Sequence, residues 1–315
     1  MNYALFLHYG TIALIVSISA IGVAVAQGLA NLAALDASNR QPQAKNDIIR
    51  LAILGTALIE TSAILAVAMA FFLLFSRNTP TTMSSIAELG IAAALCLSGF
   101  AVGLASYKPV QAACHSVARQ PFFAQNILRF MLITQSLVQT PVIFAFIVSI
   151  FIRHQAVPGI STSNALRLLA SGLAIGLGSI GPTIGLAQFA GAACEGIGKN
   201  RRSYGKLLSF SFISQAIIET PAIFALLVAL MLIFSPIYPD SALKGITFLS
   251  AGLCIGFGTL GAGISSGRTS AAACTQIALN PSLYTSLSKV SMFVQGLIDT
   301  AAVYALLIAL LLYLL

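Results

Sequence analysis

Four equivalent positions in this sequence carry side chains suited to binding or mimicking a bound cation. Glu60, Glu219 and Asp299 each lie inside a long apolar stretch, and Gln139 takes the corresponding place in another. A charged group at mid-membrane depth costs about 3 kcal/mol on insertion scales, so such residues are rare and usually functional. Since desolvation favours the neutral acid, we expect each carboxyl to load a proton in a buried site and release it to a polar path.

The spacing of these positions reveals an internal repeat. Their residue numbers rise by nearly the same amount from one to the next, and each follows a short polar segment at one constant distance. Those segments are Arg40-Gln41-Pro42, Arg119-Gln120-Pro121, Lys199-Asn200-Arg201 and Leu279-Asn280-Pro281. The repeat predicts four units, each an apolar helix, a polar loop and a second apolar helix, at 1–80, 81–158, 159–240 and 241–315.

Composition places these helices in a membrane. Apolar residues make up 58% of the chain and charged residues only 8%, where a soluble domain has about 25%. Mean hydropathy is +0.96. The fold class is therefore all-α integral membrane, with eight transmembrane helices as four tandem hairpins, each helix exceeding the roughly 20 residues that cross a bilayer. The predicted helices span 4–35, 47–75, 86–118, 127–153, 164–197, 204–234, 242–278 and 285–315.

Two local signals mark the ends of these predicted helices. Polar and proline-containing connectors, 77–80 and 235–240, separate the hairpins. Ser85 and Glu88 have the spacing of a capping box at the start of the third helix.

Charge predicts the orientation of the hairpins. An even number of spans in every unit makes all four point the same way. Ten basic residues flank the loops within hairpins, namely Arg40, Lys45, Arg50, Arg119, Arg129, Lys199, Arg201, Arg202, Lys206 and Lys289. Arg77, Arg153, Arg167 and Lys244 lie on the other side. By the positive-inside rule the loops are cytoplasmic and both termini lie on the opposite side.

The first helix of every hairpin is built for close packing. Small residues occupy every second position over a short stretch, which slims more than one helix face, whereas a simple dimer face needs only every fourth position. We therefore expect first helices to form an inner circle with neighbours on both sides. The stretches are Ala20, Gly22, Ala24, Ala26, Gly28; Gly99, Ala101, Gly103, Ala105; Ser179, Gly181, Thr183, Gly185, Ala187; and Thr259, Gly261, Gly263, Ser265, Gly267.

Polar residues accompany the four positions in register. Four residues earlier are Thr56, Gln135, Gln215 and Gln295, and one residue later are Thr61, Thr140, Thr220 and Thr300. These groups can hydrogen-bond the carboxyl or a bound ion. The alternative is polar glue between helices, worth about 0.6 kcal/mol per bond. Three acids at one repeat position favour ion binding.

The cysteines and histidines do not indicate a metal site. Cys114, Cys194 and Cys274 stand at one position of the repeat, which predicts small packing residues rather than ligands. The histidines, expected to be exposed or interfacial near helix ends, are His8, His115 and His154.

Together these features resemble the c subunit, or proteolipid, of rotary F-type ATP synthases, four times over. The resemblance rests on the glycine- and alanine-rich first helix, the Arg-Gln-Pro loops and the carboxylate at a fixed distance beyond the loop proline. It implies a homo-oligomeric ring with first helices inside, turning against a stator a subunit whose arginine meets each carboxylate. It also implies a bacterial inner (plasma) membrane location and contact with membrane lipid. Loop residues would contact the central stalk subunits gamma and epsilon, namely Arg40, Gln41, Pro42, Arg119, Gln120, Pro121 and Lys199.

The chain departs from that family pattern in three ways. Four hairpins are fused, the fourth loop lacks the arginine, and Gln139 replaces an acid. Because an amide cannot be deprotonated, the second hairpin should carry no proton. Fewer ions per turn demand a larger ion-motive force for synthesis and suit ATP-driven pumping.

The transported ion is predicted to be a proton, with sodium as the alternative. Sodium-binding members of the family use a first-helix glutamine, the acid, a following hydroxyl and a tyrosine. Here the glutamine position holds Gln27, Ser106, Leu186 and Ser266, and the tyrosine position holds Leu65, Phe144, Phe224 and Tyr304. No unit has the full set. We expect no cofactor and no metal.

Other functions remain open from the sequence. A V-type ATPase proteolipid also fits fused hairpins and a lost carboxylate, although the Arg-Gln-Pro loops favour the F type. A stand-alone eight-helix transporter would turn its carboxylates toward a central pathway. With no nucleotide-binding loop or nucleophile triad, the chain is not expected to be an enzyme by itself. Lys108 and Arg268 share one repeat position, and we expect them to face the ring lumen or lipid headgroups.

Overall fold

Helices make up nearly all of the computed structural model, which describes residues 3–75, 80–236 and 241–315. Of the predicted connectors, residues 77–79 and 237–240 lie outside the described residues. The α-helices are α1 (Tyr3–Arg40), α2 (Lys45–Leu74), α3 (Thr82–Ala105), α4 (Tyr107–Arg119), α5 (Ala124–Val138), α6 (Thr140–Gln155), α7 (Thr162–Lys199), α8 (Tyr204–Ile233), α9 (Ala242–Leu279) and α10 (Tyr284–Leu314).

These helices make eight apolar segments in the described part of the chain that are long enough to cross a membrane. The first helices α1, α7 and α9 each have 38 residues, about 57 Å at 1.5 Å per residue. This exceeds the roughly 30 Å of the hydrocarbon core, so the helix ends extend beyond it. Toward the loops they end at Arg40, Lys199 and Leu279, beyond the predicted ends at 35, 197 and 278.

One 3₁₀ turn joins the two helices of each hairpin. Three of these turns begin with a proline, namely Pro42, Pro121 and Pro281. Proline is favoured at the first position of such a turn because its missing N–H would have had no partner there. The third turn begins at Arg201, and the Asn200 side chain caps it by accepting a hydrogen bond from the backbone N–H of Arg202.

The second hairpin is interrupted in both of its helices. The break between α3 and α4 lies at Ser106, three residues before Pro109, and the break between α5 and α6 lies at Gln139, two residues before Pro141. A proline removes the backbone bond to the carbonyl four residues earlier and clashes with it. The two breaks lie side by side, and the Gln139 side chain at one break contacts Ser106 at the other.

The four hairpins stand in chain order in two layers. The first helices form a row, α1, then α3 with α4, then α7, then α9, and each second helix packs behind its own first helix. The first helices contact each other more extensively than the second helices do. The first helices therefore occupy the narrower, inner side.

Glycine makes this inner row tight, as the small-residue pattern predicts. A Cβ atom on Gly172 of α7 would collide with the carbonyl oxygen of Gly90 on α3. Likewise, a Cβ atom on Gly263 of α9 would collide with the backbone of Pro182 on α7. Such contact between backbones is possible only without a side chain.

The predicted capping box at Ser85 and Glu88 is wrong. The N-cap is Thr81, whose side chain accepts from the Ser84 backbone while the Ser84 hydroxyl accepts from the Thr81 N–H. Ser85 instead donates to the carbonyl of Ala4 on α1 at 2.9 Å. Thr81 and Ser84 have the same spacing four residues earlier, and the helix starts there.

His8, which was expected to be exposed or interfacial, is instead buried against Glu88. His8 is 7% exposed and Glu88 4% exposed, and His8 Nδ1 lies 2.6 Å from Glu88 Oε2. His8 and Glu88 lie one residue apart in the repeat of consecutive hairpins, since the position equivalent to His8 is Ala87. Parallel packing of α1 on α3 therefore brings them together and hides both.

The repeated cysteines are packing residues, which confirms that prediction. Cys114, Cys194 and Cys274 are free thiols with 0% exposure. They lie within one apolar cluster on the loop side of the protein.

Candidate functional site

The second helices position the four repeat-equivalent residues at one level, but their surroundings differ. Glu60 on α2 is exposed, Gln139 between α5 and α6 is buried, Glu219 on α8 is half-buried, and Asp299 on α10 is 9% exposed. Glu60 stands at the open edge of the row, where no hairpin precedes it. The others each have a preceding hairpin to cover them.

Gln139 is fixed to its own first helix. Its Nε2 donates to Ser106 Oγ at 3.0 Å, and the residue is 3% exposed. Ser106 is the residue that loop alignment places opposite this position. The amide thus occupies the place of a protonated carboxyl and makes the same kind of donor bond.

Glu219 has its polar partner on the preceding hairpin. The Thr140 hydroxyl at the start of α6 lies near the Glu219 carboxyl of α8 and interacts with it. The first-helix residue opposite Glu219, Leu186, is fully buried and offers no polar group. The polar partner therefore comes from the adjacent second helix, so this site lies between two hairpins.

Asp299 has unused hydrogen-bonding capacity. Its Oδ1 is buried without a hydrogen-bond partner in the described part of the chain, and so is the hydroxyl of Ser266 on α9. These two residues are separated along the chain by the same interval as Gln139 and Ser106. Buried polar atoms are normally satisfied, so an acid and a hydroxyl that both lack partners at these matching positions fit a site that accepts a proton or an ion.

The glutamines four residues earlier bond to neighbouring helices rather than to their own carboxyls. Gln215 Nε2 donates to the carbonyl of Thr134 on α5, and Gln295 Oε1 accepts from the hydroxyl of Ser214 on α8. Gln295 Nε2 also donates to Ser291 Oγ at 3.1 Å. The bonds of Gln215 to Thr134 and of Ser214 to Gln295 join α8 and α10 to the second helix that precedes each of them, as polar glue does.

The other residues predicted to support the ion sites do not share one arrangement. Thr220 and Thr300 donate to carbonyls of their own helices, Ala216 and Leu297 respectively. Thr56 does the same toward Ala52, and Gln135 is buried with no partner for its amide in the described residues. The remaining three differ in exposure: Thr61 and Gln27 are half-buried, and Tyr304 is 69% exposed.

The loop residues bind mostly to each other. Gln120 Nε2 donates to the carbonyl of Gly198, and the equivalent Asn200 donates to the carbonyl of Ala278, both at 2.9 Å. These two bonds link consecutive hairpins at the loop end. They were not predicted, and their one signal in the sequence is that both residues are amides at one repeat position.

The cations of the loops remain accessible. Arg40 pairs with Asp36 at 3.0 Å with 68% of its side chain exposed. Lys199 and Arg119 approach Glu195 at 2.9 and 3.8 Å, and each is 40% exposed or more. Between loops two and three, Arg201 and Arg202 join them around a cavity of about 460 Å³. This face of the protein is strongly basic.

Sequence comparison identifies all four hairpins. The family model that describes the C subunit of ATP synthase matches residues 11–73, 89–152, 169–232 and 249–312. The ATP synthase c subunit of Dehalococcoides mccartyi is 40% identical over 72 residues, which are 23% of this chain and 95% of that protein. The ATP synthase c subunit of Prochlorococcus marinus is 40% identical over 75 residues, 24% of this chain and 93% of that protein. This multi-pass membrane chain therefore belongs to the family of ATP synthase C subunits.

Proposed function

We propose that this chain is the rotor ring subunit of a rotary ATP synthase and carries protons on Glu60, Glu219 and Asp299. The observation that supports this most is the repeat: three acids occupy one position on apolar second helices, at the level where adjacent hairpins meet. Each acid would bind a proton there, pass a stator a subunit that has an arginine, and release the proton to an aqueous path. Ion flow would thereby be coupled to ATP synthesis or hydrolysis.

The loops supply the contact to the rest of the motor in this proposal. The exposed cations around loops two and three form a basic face suited to acidic surfaces of the central stalk subunits gamma and epsilon. The fourth loop has no arginine, so its contact is weaker. The positive-inside count supports an orientation with these loops in the cytoplasm, and the membrane proposed is a bacterial inner membrane.

The combined substitution E60Q/E219Q/D299N tests the proposal. Amides keep the size and hydrogen bonding of the acids but cannot release a proton. We expect the ring to assemble and coupled proton transport to fall to background in reconstituted vesicles. Transport that continues at the original rate in assembled rings would refute the proposal.

Proton rather than sodium transport is favoured by the ligands near Glu219. Leu186 is fully buried opposite it, and an apolar group gives a sodium ion no oxygen. Gln27 with Glu60 and Thr61 is the most sodium-like set, but it belongs to the first hairpin alone. Carbodiimide labelling of the carboxylates should therefore proceed equally with and without sodium. Protection by sodium would overturn the assignment.

A further inference from the structure

The cavity between loops two and three lies where both loops depart from the repeat. Phe122 and Arg202 stand at one repeat position, where the other two loops have Gln43 and Ser282. Arg201 stands where the other three loops have a proline. Because Phe122, Arg201 and Arg202 all line the cavity, an aromatic ring and two arginines meet at one junction. This combination occurs once per chain.

The wall of this cavity has more positive than negative charge. Of its four cations, Lys199 Nζ lies 2.9 Å and Arg119 Nη1 lies 3.8 Å from the same carboxylate oxygen of Glu195. Within the described part of the chain, no acid pairs with Arg201 or Arg202. Guanidinium groups bind phosphate oxygens through paired hydrogen bonds, so two unpaired arginines at one cavity suit a phosphorylated anion.

The same cavity has an aromatic side. Phe122 is fully exposed, whereas Phe123 packs edge-on against Tyr204 with 5.5 Å between ring centroids. Phe123 also lines the cavity, so apolar surface lies beside the cations. Planar bases stack on exposed aromatic rings, and such stacking would remove the apolar surface of Phe122 from water.

Hydrogen bonds within and between the two loops fix the shape of the cavity. Gln120 Nε2 donates to the carbonyl of Gly198, which joins loop two to the helix end before loop three. Asn200 Oδ1 accepts from the backbone N–H of Arg202 at 3.1 Å, which fixes the turn that carries Arg201 and Arg202. Because the binding surface is formed in advance, little ordering is needed when a ligand binds.

Size and location decide which anion fits this cavity. Its volume of about 460 Å³ lies within the range of roughly 300–1,000 Å³ that small-molecule sites occupy. Inorganic phosphate would use the cations but leave the aromatic side in water. In the proposed orientation the loops face the cytoplasm, where nucleoside triphosphates are abundant.

We propose that this cavity binds a nucleoside triphosphate, with its phosphates on Arg201 and Arg202 and its base on Phe122. Charge selects the phosphates, and the aromatic ring selects a nucleotide over inorganic polyphosphate. The cations of these loops also face the central stalk in the proposed function, so a nucleotide and the stalk compete for this surface. Only that competition and the cytoplasmic orientation rest on the proposed function.

ATP binding to the purified protein in detergent tests this site, measured by isothermal titration calorimetry at low salt without stalk subunits. We expect one ATP per chain rather than one per hairpin. R201Q/R202Q should lower the affinity about tenfold for each arginine removed. F122A should lower the affinity for ATP about tenfold and leave the affinity for inorganic tripolyphosphate unchanged.

Two further variants separate this site from general charge. The matched control K45Q/R50Q removes two exposed cations of α2 and should leave ATP binding unchanged. R201K/R202K keeps both charges and should retain most of the affinity, which separates lost charge from a disturbed loop. An equal loss of affinity in K45Q/R50Q and R201Q/R202Q would overturn the proposal, and so would no ATP binding at millimolar concentration.

Two other ligands decide what the cavity selects. Equal affinities for ATP and inorganic tripolyphosphate would overturn the choice of a nucleotide. A polyglutamate peptide that binds at the cavity and that ATP does not displace would assign it to an acidic protein segment instead. E60Q/E219Q/D299N should bind ATP as the original chain does, so nucleotide binding and proton carrying can fail separately.

Discussion

Gln139 shows at the scale of one residue what a lost carboxylate does. The amide keeps a donor bond to Ser106 and stays 3% exposed, so the hairpin remains packed at the level of the site. An amide has no proton to release at neutral pH. The proposed ring then carries three protons for every four hairpins, although its width is set by four.

The substitution Gln139→Glu tests this consequence. A protonated glutamate can make the same donor bond to Ser106, so we expect the ring to assemble. Four carriers per chain in place of three raise the proton-to-ATP ratio by about one third, because each carrier adds one charge moved through the potential. The ratio is measured from the proton-motive force that balances a fixed ATP phosphorylation potential. Gln139→Ala serves as the control, and a ratio that does not change with glutamate contradicts the prediction.

The sequence predicts which residues lie at the same height along neighbouring helices. It predicts the hydrogen-bond partners of those residues less well. The register of Glu60, Glu219 and Asp299 follows from counting residues. The bonds of Gln215 and Gln295 to a preceding helix do not, since the helical rotation that aims a side chain at a neighbour is fixed by packing in three dimensions. For the same reason the contact between Glu88 on α3 and His8 on α1 is visible from the sequence only as near-equivalence in the repeat, one residue out of register.

At the scale of helices, the inner row depends on glycines that allow backbones to touch. Length and hydropathy predict the eight segments, and the alternate small residues predict their tight packing. The break at Ser106 was missed, although Pro109 is the signal that causes it. Proline inside an apolar run does not by itself decide the outcome, because α7 and α8 continue through Pro182 and Pro221.

Gly172→Ala tests the seam between α3 and α7. The added methyl group meets the carbonyl of Gly90 and must push the two helices apart. Overpacking of this kind costs about 1–3 kcal/mol, so we expect a lower dissociation temperature of the detergent-solubilised ring. Gly10→Ala on α1 is the matched control, because nothing lies within 4 Å of its new Cβ atom. Equal dissociation temperatures for the two variants would show that the seam is not under this constraint.

At the scale of the whole chain, the row of hairpins has two open edges, one at the first hairpin and one at the fourth. Gly28 on α1 and Gly261 on α9 face open space, whereas their equivalents Gly267 and Gly181 pack against the backbone of a neighbouring first helix. Glu60 is exposed at the first of these edges. A neighbouring copy would cover both edges and bring Thr300 of its fourth hairpin to Glu60, as Thr140 is brought to Glu219. The ion site of the first hairpin would then be shared between two chains.

The pair of substitutions G28C/S265C tests this junction. Within the chain, a Cβ atom on Gly267 of the fourth hairpin would meet the Cα atom of Gly185 in the third. The repeat equivalents of these two residues, one hairpin later, are Gly28 of the first hairpin and Ser265 of the fourth. We therefore expect Gly28 of one copy to face Ser265 of the neighbouring copy. A disulfide needs Cα atoms about 4.4–6.8 Å apart, so the two backbones must separate slightly to accept the cysteines. Oxidation of the membranes should then yield a ladder of covalent oligomers on a denaturing gel. In G10C/S265C the first cysteine lies about 27 Å farther along α1, and only monomers are expected. Because the chain's own cysteines remain in both variants, a ladder in the control would assign the cross-link to them, and monomers in both variants would place some other surface between neighbouring copies.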